Sequence, residues 1–153
     1  MSILIRSATA HDEPALLELL ATAYAFHADG LPSLFREPGG EFLLKLLRRE
    51  DLRHVVAELE GEVAGLAQFS LETTGATPIK PARRFVAVLS VQVAPAYRRQ
   101  GVGRALMEHV QAWAREQGAT HVELNVYEFN EPALEMYREL GYSTVSRMLK
   151  RPV

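Results

Sequence analysis

The clearest chemical capacity in this sequence lies in Val91-Gln92-Val93-Ala94-Pro95-Ala96-Tyr97-Arg98-Arg99-Gln100-Gly101-Val102-Gly103-Arg104-Ala105. It reads as a strand, then a loop, then the N-terminus of a helix. A helix start presents unpaired backbone N–H groups and the positive end of the helix dipole, a natural seat for phosphate. Gly101 and Gly103 let a ligand approach the backbone without a Cβ in the way. Arg98, Arg99 and Arg104 can add charge-assisted contacts to phosphate oxygens. A second stretch, Asn130-Glu131-Pro132-Ala133-Leu134-Glu135-Met136-Tyr137-Arg138-Glu139-Leu140-Gly141-Tyr142, opens on a capping residue and ends on a glycine stop. Tyr137 follows Asn130 by about two helical turns and points from the same side of that helix.

Other chemistries lack their residues. With no cysteine, disulfides, thiolate catalysis and Cys-based metal sites are excluded. The five histidines (His11, His27, His54, His109 and His121) show no ligand spacing, so no metal site is expected. Neither a Gly-x-Ser-x-Gly elbow nor a Gly-Lys-Ser/Thr loop occurs.

The elements that must position these residues follow from periodicity. Ile3 to Ser7 reads as a first strand, and Asp12 then caps a helix carrying Leu16, Leu19, Leu20 and Ala23 at helical spacing. Asp29 to Pro32 breaks it. A second helix after Gly39-Gly40 carries Phe42, Leu43, Leu46 and Leu47. Arg53 to Leu59 and Val63 to Leu71 read as strands joined by a tight turn at Glu60-Gly61. Thr73 to Pro81 reads as a loop, and Phe85 to Val93 as a central strand, apolar on both faces as far as Leu89. Gly101 to Gln117 is the clearest helix, stopped by Gly118. His121 to Tyr127 alternates as a strand, Glu131 to Leu140 forms a last helix, and Tyr142 to Leu149 a closing strand. The expected fold is therefore α/β, a mixed sheet flanked by helices in the order β-α-α-β-β-β-α-β-α-β.

Length and composition agree. A chain of 153 residues fits one domain, spanning 1–153, with no repeat or linker to divide it. Hydrophobic residues at 48% and charged residues at 24% suit an ordinary globular protein. The formal charge of −2 gives no electrostatic reason to expect nucleic acid. No apolar run is long enough for a bilayer, and the N-terminus lacks the pattern of a signal peptide. The absence of cysteine suits a reducing cytoplasm.

The first stretch resembles the cofactor-binding motif of the GNAT superfamily, the Gcn5-related N-acetyltransferases, with Arg98, Gly101 and Gly103 fitting Arg/Gln-x-x-Gly-x-Gly/Ala. The second resembles that superfamily's Asn-x-x-Ala-x-x-x-Tyr-x-x-x-Gly-Phe/Tyr block, and the element order fits the whole fold. The resemblance implies acetyl-CoA as acyl donor and an amine as acceptor. It places the pyrophosphate on Arg98, Arg99, Gln100, Gly101, Val102, Gly103 and Arg104. It pairs the backbone of Val91, Gln92 and Val93 with the pantetheine arm, beside a strand bulge, and has Asn130 contact that arm. It makes Tyr137 the acid that protonates the departing thiolate. A homodimer is also a common state in the superfamily. Where some members carry a glutamate base on the central strand, this chain has Ala87, so the base is unassigned; Glu72 and Glu123 are candidates, acting through water. Helices 1 and 2 and the Thr73–Pro81 loop would border the acceptor, bringing Tyr24, Phe26, His27, Phe35 and Glu72.

Two alternatives stay open. A dinucleotide site would use Gly101-Val102-Gly103, but its third glycine position is Leu106 and the Ala94–Gln100 loop is long for that tight turn. A non-catalytic acyl-CoA-binding sensor would keep the cleft without the chemistry.

Overall fold

The computed structural model describes residues 2–153. Strands β1 (Leu4–Ser7), β2 (Arg53–Leu59), β3 (Glu62–Thr74), β4 (Arg83–Val93) and β5 (Val122–Leu124) form one sheet in sequence order. The first three pairings are antiparallel and β4–β5 is parallel. Helices α1 (Glu13–Gly30), α2 (Gly40–Leu47), α3 (Val102–Glu116) and α4 (Glu131–Glu139) complete it. The expected mixed sheet with flanking helices is what forms.

Strand alternation divides the core in two. On one face Leu16, Leu19 and Leu20 of α1 and Leu43, Leu46 and Leu47 of α2 cover Val56 and Leu66. On the other, Val102, Leu106, Met107, Val110 and Ala114 of α3 cover Val55, Ala57, Ala67, Phe69, Val86 and Val88. The β2–β3 hairpin turns at Glu60 and Gly61, both at positive φ (55° and 80°), the left-handed pair that matches strand twist.

Four expectations need correction. Tyr142 to Leu149 forms no strand: residues 143–153 are exposed and without regular structure. β5 is paired only over Val122–Leu124, because β4 offers it a partner only from Val86 to Val88. The loop after β3 is shorter than its Thr, Gly and Pro content suggests, since the β3–β4 ladder continues to Thr74 opposite Arg83. Asp12 also departs from the simple cap. Its side chain makes no cap to α1; instead it accepts from Thr9 N at 2.7 Å and from Arg6 Nη1 at 2.8 Å. The Arg6 hydrogen bonds hold its carboxyl down at about 2.

Candidate functional site

The site begins at an irregularity in β4. Phe69 of β3 pairs with Val88 and Gln68 with Ser90, so Leu89 is an extra residue, a β-bulge. A bulge reverses which residues of a strand face which neighbour. Before it, Val86 N donates toward β5, to His121 O at 3.1 Å. After it, Ala94 N donates to Ala64 O of the β3 side at 2.8 Å. With one-to-one register from Ser90 to Val93, antiparallel alternation leaves the backbone groups of Val91 and Val93 pointing away from β3. On that side the β5 ladder has already ended at Leu124. The strands therefore open into a cleft with an unpaired backbone edge, where Val91 to Val93 were expected to hold an arm.

The edge leads to the helix start. After a 3-10 turn at Pro95–Tyr97, Arg99 and Gly101 both take positive φ, 62° and 80°. Gly101 is the N-cap of α3 and supplies no side-chain cap. The first intrahelical bond is Ala105 N to Gly101 O at 3.0 Å, which leaves the N–H groups of Val102, Gly103 and Arg104 free of helical partners. Arg98, Arg99 and Gln100 are exposed around them. Arg104 is shared with Glu108 and Glu139, at 3.7 and 3.8 Å.

The two glycines serve different ends. A Cβ on Gly101 would meet open space, so its requirement is the left-handed backbone. Gly103 is buried, and a Cβ there would come within 2.7 Å of Met136 Sδ. It is a contact point between α3 and α4.

That contact sets α4 beside the cleft. Asn130 caps α4 through Ala133 N at 3.4 Å, satisfying one of its orphan donors. Tyr137 packs against the α3-side core and lies edge-on to Tyr142, with ring centroids 5.6 Å apart. Burial, with a smaller contribution from Tyr142, pushes the Tyr137 hydroxyl up to about 12. It therefore stays protonated at neutral pH, the state an acid needs.

The carboxylate candidates lie on the other face. Glu123 stands beside Ala87 in register, but Arg83 and His121 both engage it, the histidine at 3.0 Å. Glu72 stands beside Phe85 and accepts from Ser70 Oγ at 2.7 Å. Phe26, His27 and Phe35, expected to border the acceptor, form an aromatic cluster with Tyr127 and Phe129, which sequence reading had not placed there. His27 sits among Phe26, Phe35, Tyr127 and Phe129, with centroids 5.2 to 5.8 Å from its ring. Its Nδ1 is 2.8 Å from Ala23 O; a carbonyl only accepts, so Nδ1 carries the proton and Nε2 is the basic nitrogen. Gly30 has no room for a Cβ, which would fall 2.2 Å from the Phe129 ring. No periodicity could have signalled this cluster, because its members come from α1, the α1–α2 loop and the β5–α4 loop. Among the described residues there is no metal-binding group of His, Asp and Glu.

With this geometry in view, comparison with known proteins is decisive. Residues 14–142 match the acetyltransferase (GNAT) family profile. The chain belongs to the GNAT acetyltransferase family. It is 34% identical over 89 residues to the streptothricin acetyltransferase of Streptomyces lavendulae, a match covering 58% of this chain and 43% of that protein. It is 32% identical over 108 residues to an N-alpha-acetyltransferase of Sulfurisphaera tokodaii, covering 68% of this chain and 64% of that one. The matches thus span 43% and 64% of these relatives' own length. A mutant of the BH1408 protein from Bacillus halodurans shares the fold at a TM-score of 0.90 and 23% identity, over 98% of this chain and 99% of that one. No helix among the described residues is long and apolar enough to cross a membrane.

Proposed function

We propose that this GNAT-family chain is an acetyl-CoA-dependent N-acetyltransferase that acetylates a primary amine, small or peptidic, in a ternary complex. The observation that carries this reading is the continuous path from the unpaired backbone of Val91 and Val93 to the uncapped start of α3. Bound acetyl-CoA supplies the activated thioester carbonyl. In this reading the Val91–Val93 edge pairs with its amide arm, and the free N–H groups of Val102, Gly103 and Arg104 take the pyrophosphate with Arg98, Arg99 and Gln100. Asn130 contacts the arm with whatever capacity its cap to Ala133 leaves. A backbone N–H at the bulged segment of β4 stabilises the charge that develops on the carbonyl oxygen.

The attacking amine forms the new C–N bond and loses a proton to water or to Glu72 or Glu123 acting through water. The C–S bond breaks, and Tyr137 gives its hydroxyl proton to the leaving sulfur. Holding donor and acceptor in one cleft supplies much of the acceleration.

The test is the release of free CoA thiol from acetyl-CoA across amines, peptides and aminoglycosides. Amine-dependent release is the expected result and identifies the acceptor class. Acetyl-CoA binding with no transfer to any amine would point to a non-catalytic sensor, and absence of binding would overturn the proposal.

A further inference from the structure

One role in the transfer lacks a dedicated side chain, the base that takes the acceptor's proton. Glu123 is engaged by Arg83 and His121, and Glu72 by Ser70. His27 offers what they lack, an oriented and unengaged basic nitrogen. Its Nδ1 donates to Ala23 O, one turn back along α1, at 2.8 Å. That bond fixes the ring and puts the lone pair of the neutral imidazole on Nε2. Among the described residues nothing hydrogen-bonds Nε2, and the side chain is only half-buried.

The fold sets this nitrogen beside the cleft. The β4–β5 ladder ends at Val88 and Leu124. The chain beyond β5 then forms the far wall as far as Asn130, whose N donates to Tyr127 O at 2.9 Å. Tyr127 and Phe129 of that wall pack on His27, with ring centroids 5.8 and 5.6 Å away. Val122 and Leu124 pack with the α3-side core, and α1 covers the opposite face of the sheet. With the phosphate seat at α3, the α1 face is left to the acceptor. Phe26 and Phe35 complete a surround of four rings, all steeply inclined to the imidazole, with no carboxylate among them. An ammonium entering this surround is desolvated, which favours its neutral, nucleophilic form.

We propose that His27 is a catalytic residue, the base whose Nε2 touches the acceptor nitrogen and takes its proton. This rests on the N-acetyltransferase reading above. The amine leaves its ammonium proton in water and binds neutral. As its nitrogen bonds to the carbonyl carbon, its N–H proton passes to Nε2. The C–S bond breaks, its electron pair leaves with sulfur, and sulfur takes the Tyr137 proton. The imidazolium then returns its proton to water, and the tyrosinate regains one from water. Of the rings packed on His27, Tyr127 is the titratable one. Asp29 on α1, Arg36 and Glu37 before α2, and Glu128 and Glu131 beyond β5 are all exposed, and Glu128 pairs with Arg147.

The experiment has two arms on the full chain. Long-range nitrogen–proton correlation spectra of the labelled protein should show the neutral His27 ring protonated on Nδ1; a proton on Nε2 would overturn the proposal. Release of CoA thiol is then followed against pH with saturating acetyl-CoA and 2-phenylethylamine, spermidine or kanamycin. The variant His27→Asn keeps a side-chain N–H that can donate to Ala23 O but has no basic nitrogen. With native circular dichroism and unchanged CoA binding, it is expected to lose about 100-fold in kcat, and the fall of kcat toward acid pH should disappear. A variant with wild-type turnover, or one that keeps the wild-type acid limb, would overturn His27 and leave the transferase reading intact. Acetyl-CoA binding by the wild type with no transfer to any of the three amines would overturn both.

Discussion

In the proposed mechanism helices α3 and α4 both carry chemistry, yet they are built on opposite terms. α3 buries Val102, Gly103, Leu106, Met107, Val110 and Ala114 and leaves its N-terminus uncapped. α4 is capped by Asn130 and buries no residue completely. The helix that must hold a multiply charged group is anchored by its core, which frees its first N–H groups for a ligand. The helix that would present one hydroxyl satisfies its own end and packs on the core through half-buried residues, Met136, Tyr137 and Leu140, with Met136 close against Gly103. In that reading binding rests on the more deeply buried helix, and the proton donor on the less buried one.

The largest effect that would break this contrast is on turnover. Tyr137→Phe is expected to lower kcat by about 100-fold or more, the usual range for a lost general acid, with CoA affinity nearly unchanged. Equal turnover would remove Tyr137 from the mechanism. Because its hydroxyl is held up at about 12, the wild type should keep its acid form above pH 10, and activity limited by this group should not fall until higher pH. The matching stability contribution is present below the ordinary tyrosine range and is lost as pH rises from about 10 to 12.

Paired truncations sharpen the contrast in packing. Leu106→Ala, at a fully buried α3 position, is expected to cost about 2–5 kcal/mol in denaturant unfolding. Leu134→Ala, half-buried on α4, should cost clearly less; equal costs would mean that α4 is as firmly anchored as α3. On the opposite face, Asp12→Asn removes a buried carboxylate held by Arg6 and is expected to cost about 2 kcal/mol at neutral pH. Its folded pKa is depressed to about 2, so this stability is present above the ordinary aspartate pKa of about 3.9. It is lost as pH falls through the folded value, which acid unfolding would show.

The smallest expected effect separates the glycines. Gly101→Ala places a side chain at φ 80° in open space and should cost about 1 kcal/mol, with weaker CoA binding. Gly103→Ala should instead move Met136 and report as altered α4 exchange.

Much of this was legible in the sequence because it is local. α3 announces itself through Val102, Leu106 and Val110, and the two motif blocks carry their own spacing. The bulge was not legible at its position: Val86 to Leu89 reads as an unbroken central strand, and only pairing with β3 reveals that Leu89 is the extra residue, 52% exposed. The packing of Gly103 against Met136 was not legible, because the two are remote in sequence. The terminal segment Tyr142 to Leu149 has the residues of a strand but forms none. Glu123 was a fair candidate base by its position, yet its engagement by Arg83 depends on adjacent strands that periodicity cannot align.

The central claim is that acetyl-CoA lies along β4 beyond the bulge and ends at the start of α3. Titrating the isotope-labelled protein with CoA and following backbone amide resonances tests it directly. The largest shifts should fall on Val91, Val93 and Gly101 to Arg104, and should vanish in a Gly101→Val variant that remains folded. Saturable binding whose shifts fall elsewhere, or no binding at all, would contradict the account.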